Sequence, residues 1–221
     1  MEKQKIRFII NPISGKFRKK NLAQQIEETI DKTKFDCEIT QSEYAGHAKV
    51  LAQEAVAQGF DVVAVAGGDG SINEVGTQLI GTDVALALIP CGSGNGLSHC
   101  MNIPLVASKA LKIINDNHRI KIDTVTVNDI PFISIAGTGY DAKVAEDYSK
   151  DIHRGFDTYL KYVIQNLFKL EEEDYTLQLP GTSFDTKAFF ISFANSNQMG
   201  YDIPISPNAS LTDGKVDICI V

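Results

Sequence analysis

An apolar run from Ile6 to Ile10 predicts a first strand, and it stops at Asn11-Pro12-Ile13-Ser14-Gly15, a cluster of turn formers. Leu22, Ala23, Ile26 and Ile30 then recur at helical spacing. Phe35 to Thr40 predicts a second strand. Ala48, Leu51, Ala52, Ala55 and Val56 mark one face of a second helix, opened by Gly46 and closed by Gly59. Val62 to Ala66 is small or β-branched throughout, the pattern of a strand buried on both faces of a parallel sheet. It runs into Gly67-Gly68-Asp69-Gly70, after which Ile72, Val75, Gly76, Leu79 and Ile80 predict a third helix. Val84 to Ile89 predicts a fourth strand, ending in the loop Pro90-Cys91-Gly92-Ser93-Gly94-Asn95-Gly96. Ala107, Ala110, Leu111 and Ile114 predict one more short helix. Strand and helix in alternation imply an α/β domain with a parallel sheet and helices on both faces.

The rhythm changes after about residue 118. Lys121 to Val127 alternates as a strand does, Asn128-Asp129 reads as a turn, and Pro131 to Ala136 is the expected antiparallel partner. Gly137-Thr138-Gly139-Tyr140-Asp141 is expected to break that strand into a loop. Residues 156–170 predict a helix, with Leu160, Val163, Ile164, Leu167 and Phe168 on its face. The acidic run Glu171 to Asp174 reads as a solvated turn. Thr176 to Leu179, Ala188 to Ala194 and Lys215 to Val221 predict further strands, the last entered by the Asp213-Gly214 turn. The expected organisation is an α/β domain over residues 1–122, then an antiparallel β domain with one inserted helix over residues 123–221. The apolar strand at Val221 leads to the expectation that this domain is incomplete and the chain an N-terminal portion of something longer.

The 221 residues carry 43% apolar and 22% charged side chains, ordinary for a folded protein. A net charge of −7 argues against nucleic acid as a partner and against simple electrostatic docking on an anionic membrane. No apolar run approaches the roughly 18 residues that span a bilayer, and the N-terminus has no signal-peptide pattern. Cys37, Cys91, Cys100 and Cys219 form no metal-ligand rhythm, and His47, His99, His118 and His153 are scattered. A cytoplasmic setting is expected.

The candidate chemistry lies in the glycine-rich turns. Gly67-Gly68-Asp69-Gly70 joins a buried strand to a helix, whose N-terminus offers unpaired N–H groups and partial positive charge. Glycine lets a phosphate approach that backbone. Ser71 adds a hydroxyl at the helix start, and Asp69 is a candidate magnesium ligand. The spacing is neither the dinucleotide fingerprint nor a P-loop. A plain helix-capping turn remains the other reading of these four residues. The second loop, Gly92 to Gly96, follows one β-α unit later, which can bring both loops to one sheet edge. Lys16, Arg18, Lys19 and Lys20 follow the first strand, where α/β sheets place their ligands, and are candidate anion contacts.

Asn11-Pro12-x-Ser14-Gly15, Gly67-Gly68-Asp69-Gly70-Ser71-x-Asn73-Glu74-Val75 and Pro90-x-Gly92-Ser93-Gly94-Asn95 together resemble the catalytic domain of the diacylglycerol kinase and sphingosine kinase superfamily. Asp123 with Val127-Asn128, Gly137-x-Gly139-Tyr140-Asp141 and Pro207-x-Ala209-x-Leu211-x-Asp213-Gly214-x-Val216-Asp217 extend the resemblance along the chain. The form is most like the bacterial lipid kinases. The resemblance implies a phosphofructokinase- or NAD kinase-like nucleotide domain followed by a β-sandwich. It implies transfer of the ATP γ-phosphoryl group to the hydroxyl of a lipid, such as diacylglycerol or a sphingoid base, by an enzyme peripheral to the membrane. A homodimer is an open expectation.

Carried over residue by residue, ATP contacts fall on Asn11, Pro12, Ser14, Gly15, Thr40, Gly67, Gly68, Asp69, Gly70, Ser71, Asn73, Glu74, Gly92, Ser93, Gly94 and Asn95. Asp69 is the candidate catalytic residue, organising catalytic magnesium. A structural Mg2+ falls on Ser210, Asp213 and Lys215, the first and last through backbone carbonyls. The family's general base belongs to an Asp-Gly-Glu motif, absent here, so it is expected beyond Val221; Asp141 is the one local carboxylate considered as a substitute. The rival readings are an NAD kinase-like enzyme of a soluble substrate and a nucleotide-binding fragment without catalysis.

Overall fold

The computed structural model describes residues 2–14, 21–151, 153, 155–167, 170–201 and 203–221. Gly15, the basic stretch 16–20 and Phe168, named above as candidates, lie outside the described residues.

The first half runs β1 (Gln4–Ile10), α1 (Leu22–Thr29), β2 (Phe35–Gln41), α2 (His47–Ala57), β3 (Val62–Gly67), α3 (Asp69–Leu79), β4 (Ala85–Pro90), α4 (Gly96–Cys100) and α5 (Ala107–Asp116). The four strands form one parallel sheet in the order β2-β1-β3-β4. Alternate residues of each strand feed opposite faces, as the pleat requires. Ile6, Phe8, Ile10, Ala64 and Ala66 pack with Leu22 and Ile26 of α1 and Leu111 and Ile114 of α5. Ile9, Val63 and Val65 pack with Ala48, Leu51 and Ala52 of α2 and Ile72, Val75 and Leu79 of α3. Every residue of β3 is buried, as its unbroken apolar run predicts.

The apolar reading of β1 has one exception. Arg7 is 3% exposed and points to the α2 side. Its guanidinium pairs with Glu38 at 2.7 Å and donates to Leu51 O at 3.1 Å and Gln58 Oε1 at 2.7 Å. It also lies 4.5 Å from the centre of the Phe60 ring. A buried charge persists when its donors are satisfied in this way.

The second half contains β5 (Val125–Val127), β6 (Ile130–Phe132), β7 (Ile135–Gly139), α6 (Tyr140–Lys150), α7 (Phe156–Leu167), β8 (Glu173–Leu179), β9 (Thr182–Ala188), β10 (Phe190–Ala194), β11 (Gln198–Gly200), β12 (Ile203–Pro204) and β13 (Asp217–Ile220). Its strands pair antiparallel, with β13-β10-β7 as the largest sheet and three two-stranded ribbons beside it. The α/β domain followed by antiparallel β structure is the fold class expected from the sequence.

Several boundaries differ from the sequence pattern. The loop expected at Gly137–Asp141 is the end of β7 and the start of α6, a helix the pattern did not reveal. Only Val144 of α6 is buried, so the helix has almost no apolar stripe to read. Ion pairs Lys143–Asp147 at 3.1 Å and Lys150–Glu146 at 2.6 Å support it along its surface. Asp141 therefore sits in a helical first turn, and the β domain carries two helices. Glu173 and Asp174, expected in a turn, belong to β8, opposite Ala188 and Lys187. The single strand expected over 188–194 is two, because β9 pairs with β8 while β10 turns to pair with β7 and β13. The strand expected from Lys121 is ordered as β5 only from Val125.

Candidate functional site

The parallel sheet reverses its winding between β1 and β3, and α/β sheets open a crevice at such a point beyond the carboxyl ends of the strands. Register places Ile10 beside Ala66 and Gly67 beside Pro90. Two bonds carry the alignment past the strand ends: Asn11 N donates to Ala66 O at 3.0 Å and Cys91 N to Gly67 O at 2.8 Å. The first loop, the first glycine turn and the second glycine loop therefore share one sheet edge.

The two glycine loops touch through their backbones. A Cβ on Gly92 would stand 2.4 Å from Gly68 Cα, so neither position has room for a side chain. At Gly70 an added Cβ would meet nothing within 4 Å. That space lies over the first turn of α3, whose N-cap, Gly68, makes no side-chain capping bond. Asn11 Nδ2 donates to Ser71 Oγ at 2.8 Å, fixing the first loop to the same helix start.

Asp69 joins the loops by a different route. Its Oδ2 accepts from Asn95 N at 2.7 Å, and its carboxylate also faces the Gly96 and Leu97 amides at the start of α4. Burial pushes its carboxyl above the ordinary value, and these amides partly oppose the shift. Its Oδ1 is buried with no hydrogen-bond partner. An orphaned carboxylate oxygen fits a hard cation. Asn95 is fully buried in a left-handed conformation with φ 54°. Its side chain accepts from Gly92 N and donates to Gly92 O, each at 2.8 Å.

A cavity of about 490 Å³ opens above these loops. Asn11, Ser14, Gly68, Asp69, Gly70 and Ser93 form its floor. Tyr148 of α6, Tyr159 of α7, and Met199, Tyr201 and Ile203 from around the β11–β12 ribbon form the opposite wall. A second cavity, about 360 Å³, shares Asn11, Ser14, Gly68 and Gly70 and continues to Glu43, Tyr44, Gly46, Ser71 and Glu74. Glu74 Oε1 is buried without a hydrogen-bond partner. Tyr44 is 60% exposed and stacks on His47 with ring centres 4.5 Å apart. The α3 N-terminus thus lies where the two cavities meet.

Other candidates sit elsewhere. Thr40 Oγ1 donates to Phe8 O at 3.2 Å within the sheet. Asn73 Oδ1 accepts from Ile133 N at 3.1 Å and ties α3 to the second half of the chain. Asp141 lies close to Gly137 and faces Ser192; burial raises its carboxyl above the ordinary value. Asp213 Oδ1 accepts from Lys215 N at 3.1 Å, and Ser210 Oγ accepts from Thr212 N at 3.3 Å. Asp123 Oδ2 accepts from Gly214 N at 2.7 Å, so a second carboxylate converges on this exposed turn. The turn offers only oxygen donors, which suits magnesium. Among the described residues no group of three or more His, Cys, Asp or Glu converges. The sequence reading had no signal for Tyr148, Tyr159 or Tyr201, since isolated tyrosines carry no motif.

Residues 5–127 match the family model of the diacylglycerol kinase catalytic domain, and residues 134–221 match that of the YegS C-terminal NAD kinase beta sandwich-like domain. The chain is 25% identical to a diacylglycerol kinase of Staphylococcus carnosus, over 99% of this chain and 73% of that protein. It is 29% identical to a probable lipid kinase, YegS-like, of Pseudomonas putida, over 80% of this chain and 61% of that one. A solved structure of a diacylglycerol kinase from Bacillus anthracis superposes with a TM-score of 0.75 at 23% identity, covering 100% of this chain and 74% of that one; at that identity the likeness speaks for the fold.

Proposed function

Because the chain belongs to the diacylglycerol kinase catalytic-domain family, we propose that it transfers the γ-phosphoryl group of ATP to the hydroxyl of a neutral lipid alcohol of the diacylglycerol type, met at a membrane surface. The observation that carries this reading is the meeting of two cavities over the α3 N-terminus, the larger of them walled by Tyr148, Tyr159 and Tyr201. The nucleoside occupies the smaller cavity beside Tyr44 and Glu74. Its phosphates cross the open space at Gly70, where the helix dipole favours negative charge. The acceptor enters the aromatic cavity from the other side.

That division gives each group a task. Positioning and charge neutralisation dominate phosphoryl transfer, so a floor of fixed amides facing an apolar wall suits it. The wall of Ala145, Tyr148, Tyr159, Met199, Tyr201 and Ile203 is uncharged. It suits a neutral glycerolipid, and the Asp69 carboxylate that lines the same cavity lies on the floor opposite, engaged with the Asn95 amide. The Asp69 Oδ1 atom would hold a magnesium ion, which neutralises phosphate charge when bound. Ser210, Asp213 and Lys215, with Asp123 behind them, would hold a second ion in a structural role.

No helix among the described residues is long and apolar enough to cross a membrane. The test is radiolabelled phosphate transfer from ATP to dioctanoylglycerol, sphingosine and NAD in parallel. Diacylglycerol phosphorylation that disappears in Asp69→Asn supports the reading. Transfer to NAD alone, or to no alcohol at all, overturns it.

A further inference from the structure

Tyr201 is held in a conformation that a bulky residue avoids. Its φ is 53°, in the left-handed region, where a Cβ crowds the following carbonyl. Strain of this kind persists only where the surroundings over-determine it, and it concentrates at functional positions. The surroundings here are specific. Tyr201 N donates to Gly94 O at 3.2 Å, and Gly200 bridges to Asn95, so the residue is pinned to the second glycine loop. Glycine is required at 200, with φ 121° and Gly94 Cα 2.8 Å from an added Cβ.

The ring does not turn back into a core. It lines the larger cavity, in edge contact with Phe156 at 5.2 Å and tilted against Tyr159 at 5.9 Å. Its hydroxyl lies 3.4 Å from the Tyr148 hydroxyl and faces Ser93 of the second glycine loop. A single strained side chain therefore spans the gap between the phosphate loops and the aromatic wall. Its phenol is protonated at neutral pH, and burial raises its pKa further, so it can both donate and accept a hydrogen bond.

We infer that Tyr201 determines which acceptor reaches the phosphate loops: its ring narrows the entrance to a slim alcohol, and its hydroxyl takes a hydrogen bond with the acceptor's hydroxyl. This rests on the kinase reading above and names the residue that sets its acceptor selectivity. Exchange of the Tyr148 contact for the acceptor hydroxyl leaves the backbone tie to Gly94 intact, so the alcohol is seated beside the second glycine loop. The ring also occupies space that water would otherwise fill, which opposes wasteful hydrolysis of ATP.

The experiment compares wild type, Tyr201→Phe and Tyr201→Gly, the last matched to the left-handed backbone. Phosphate transfer is measured to dioctanoylglycerol, to monooctanoylglycerol and to water. Tyr201→Phe is expected to raise the KM for dioctanoylglycerol about fivefold, the worth of one neutral hydrogen bond, with kcat and the KM for ATP unchanged. Tyr201→Gly is expected to increase acceptor-free ATP hydrolysis and to shift the ratio of kcat/KM for the two glycerides at least about threefold. Unchanged acceptor KM and unchanged preference overturn the inference even if melting temperatures move.

A second readout does not depend on turnover. The chain has seven tyrosines, so 3-fluorotyrosine labelling gives a small set of ¹⁹F resonances, with Tyr201 assigned by its loss in Tyr201→Phe. Dioctanoylglycerol added with magnesium and a non-hydrolysable ATP analogue must move that resonance. A shift without transfer refutes the kinase reading and sustains the role of Tyr201 in binding. Transfer without a shift refutes the inference alone.

Discussion

Replacing Gly70 by alanine separates a phosphate cradle from an ordinary helix cap, because the two accounts predict opposite consequences. Gly70 has ordinary negative φ in the first turn of α3, and an added Cβ meets no protein atom within 4 Å. Alanine there should stabilise the unliganded protein by about 0.5 kcal/mol through reduced backbone entropy, raising the melting temperature by about 1–2 °C for a chain of this size. The same methyl fills the space through which phosphates reach the helix amides. Crowding of that kind costs about 1–3 kcal/mol, so affinity for magnesium-ATP should fall about tenfold or more. Gly92→Ala is the contrasting variant. Its Cβ would lie 2.4 Å from Gly68 Cα, backbone against backbone, and neither loop can give way without parting from the other. It should lose about 1–3 kcal/mol and about 2–12 °C in melting temperature, with weaker binding as a consequence. Calorimetric unfolding and ATP titration of both variants give the comparison. Wild-type ATP affinity in a folded Gly70→Ala protein would refute the passage of phosphates over this turn.

Three further outcomes follow from the geometry. Burial holds the Asp69 carboxyl above its ordinary 3.8, so its contribution favours the fold below that pH and is lost as pH rises through the folded value. Asp69→Asn should therefore gain stability relative to wild type as pH rises above 3.8 in urea unfolding, while phosphate transfer falls by about 10²-fold or more. Arg7→Met should cost about 1–3 kcal/mol, because it strips a buried network, whereas Glu38→Gln, at a side chain 45% exposed, should cost less than about 1 kcal/mol by chemical denaturation. Asn73→Ala should lower stability by about 1 kcal/mol and increase proteolysis near Ile133, with ATP affinity preserved; lost affinity at unchanged stability would instead make Asn73 a ligand contact.

The α/β half was legible because its signals are local. The unbroken apolar run of β3 and the helical spacing of Leu51, Ala52 and Ala55 each depend on a single face meeting a single core. The adjacency of the two glycine loops also followed from strand order, since both leave carboxyl ends of a parallel sheet. The second half hid its structure for identifiable reasons. Helix α6 buries one residue and is supported by ion pairs on its surface, so hydrophobic periodicity had nothing to report. The break at Phe189 is set by which strands β9 and β10 choose as partners, a tertiary fact. The aromatic wall is assembled from α6, α7 and the β11–β12 ribbon, and no spacing in the chain marks Tyr148, Tyr159 and Tyr201 as neighbours. Arg7 passed as part of an apolar run because its partners are some 30 to 50 residues away in β2 and α2.

The motif residues also divide by task, which bears on how loss of function in them should be read. Asn73 anchors α3 to Ile133, and Gly76 on the same helix would place a Cβ 2.0 Å from Ile133 Cδ1, so this contact admits no larger residue. Asn95 encloses Gly92 with both ends of its amide, and Asp69 caps the amides that follow. Gly200 closes on the same loop from the β11–β12 ribbon. The second glycine loop is thus fixed from three directions before any ligand arrives. Fixed amides need no reorganisation when charge develops beside them, which is the condition under which such dipoles stabilise a transition state most. The polar residues of this motif do their work largely by holding glycine backbones still, and the backbone, with Asp69 Oδ1 left over, is what faces the cleft.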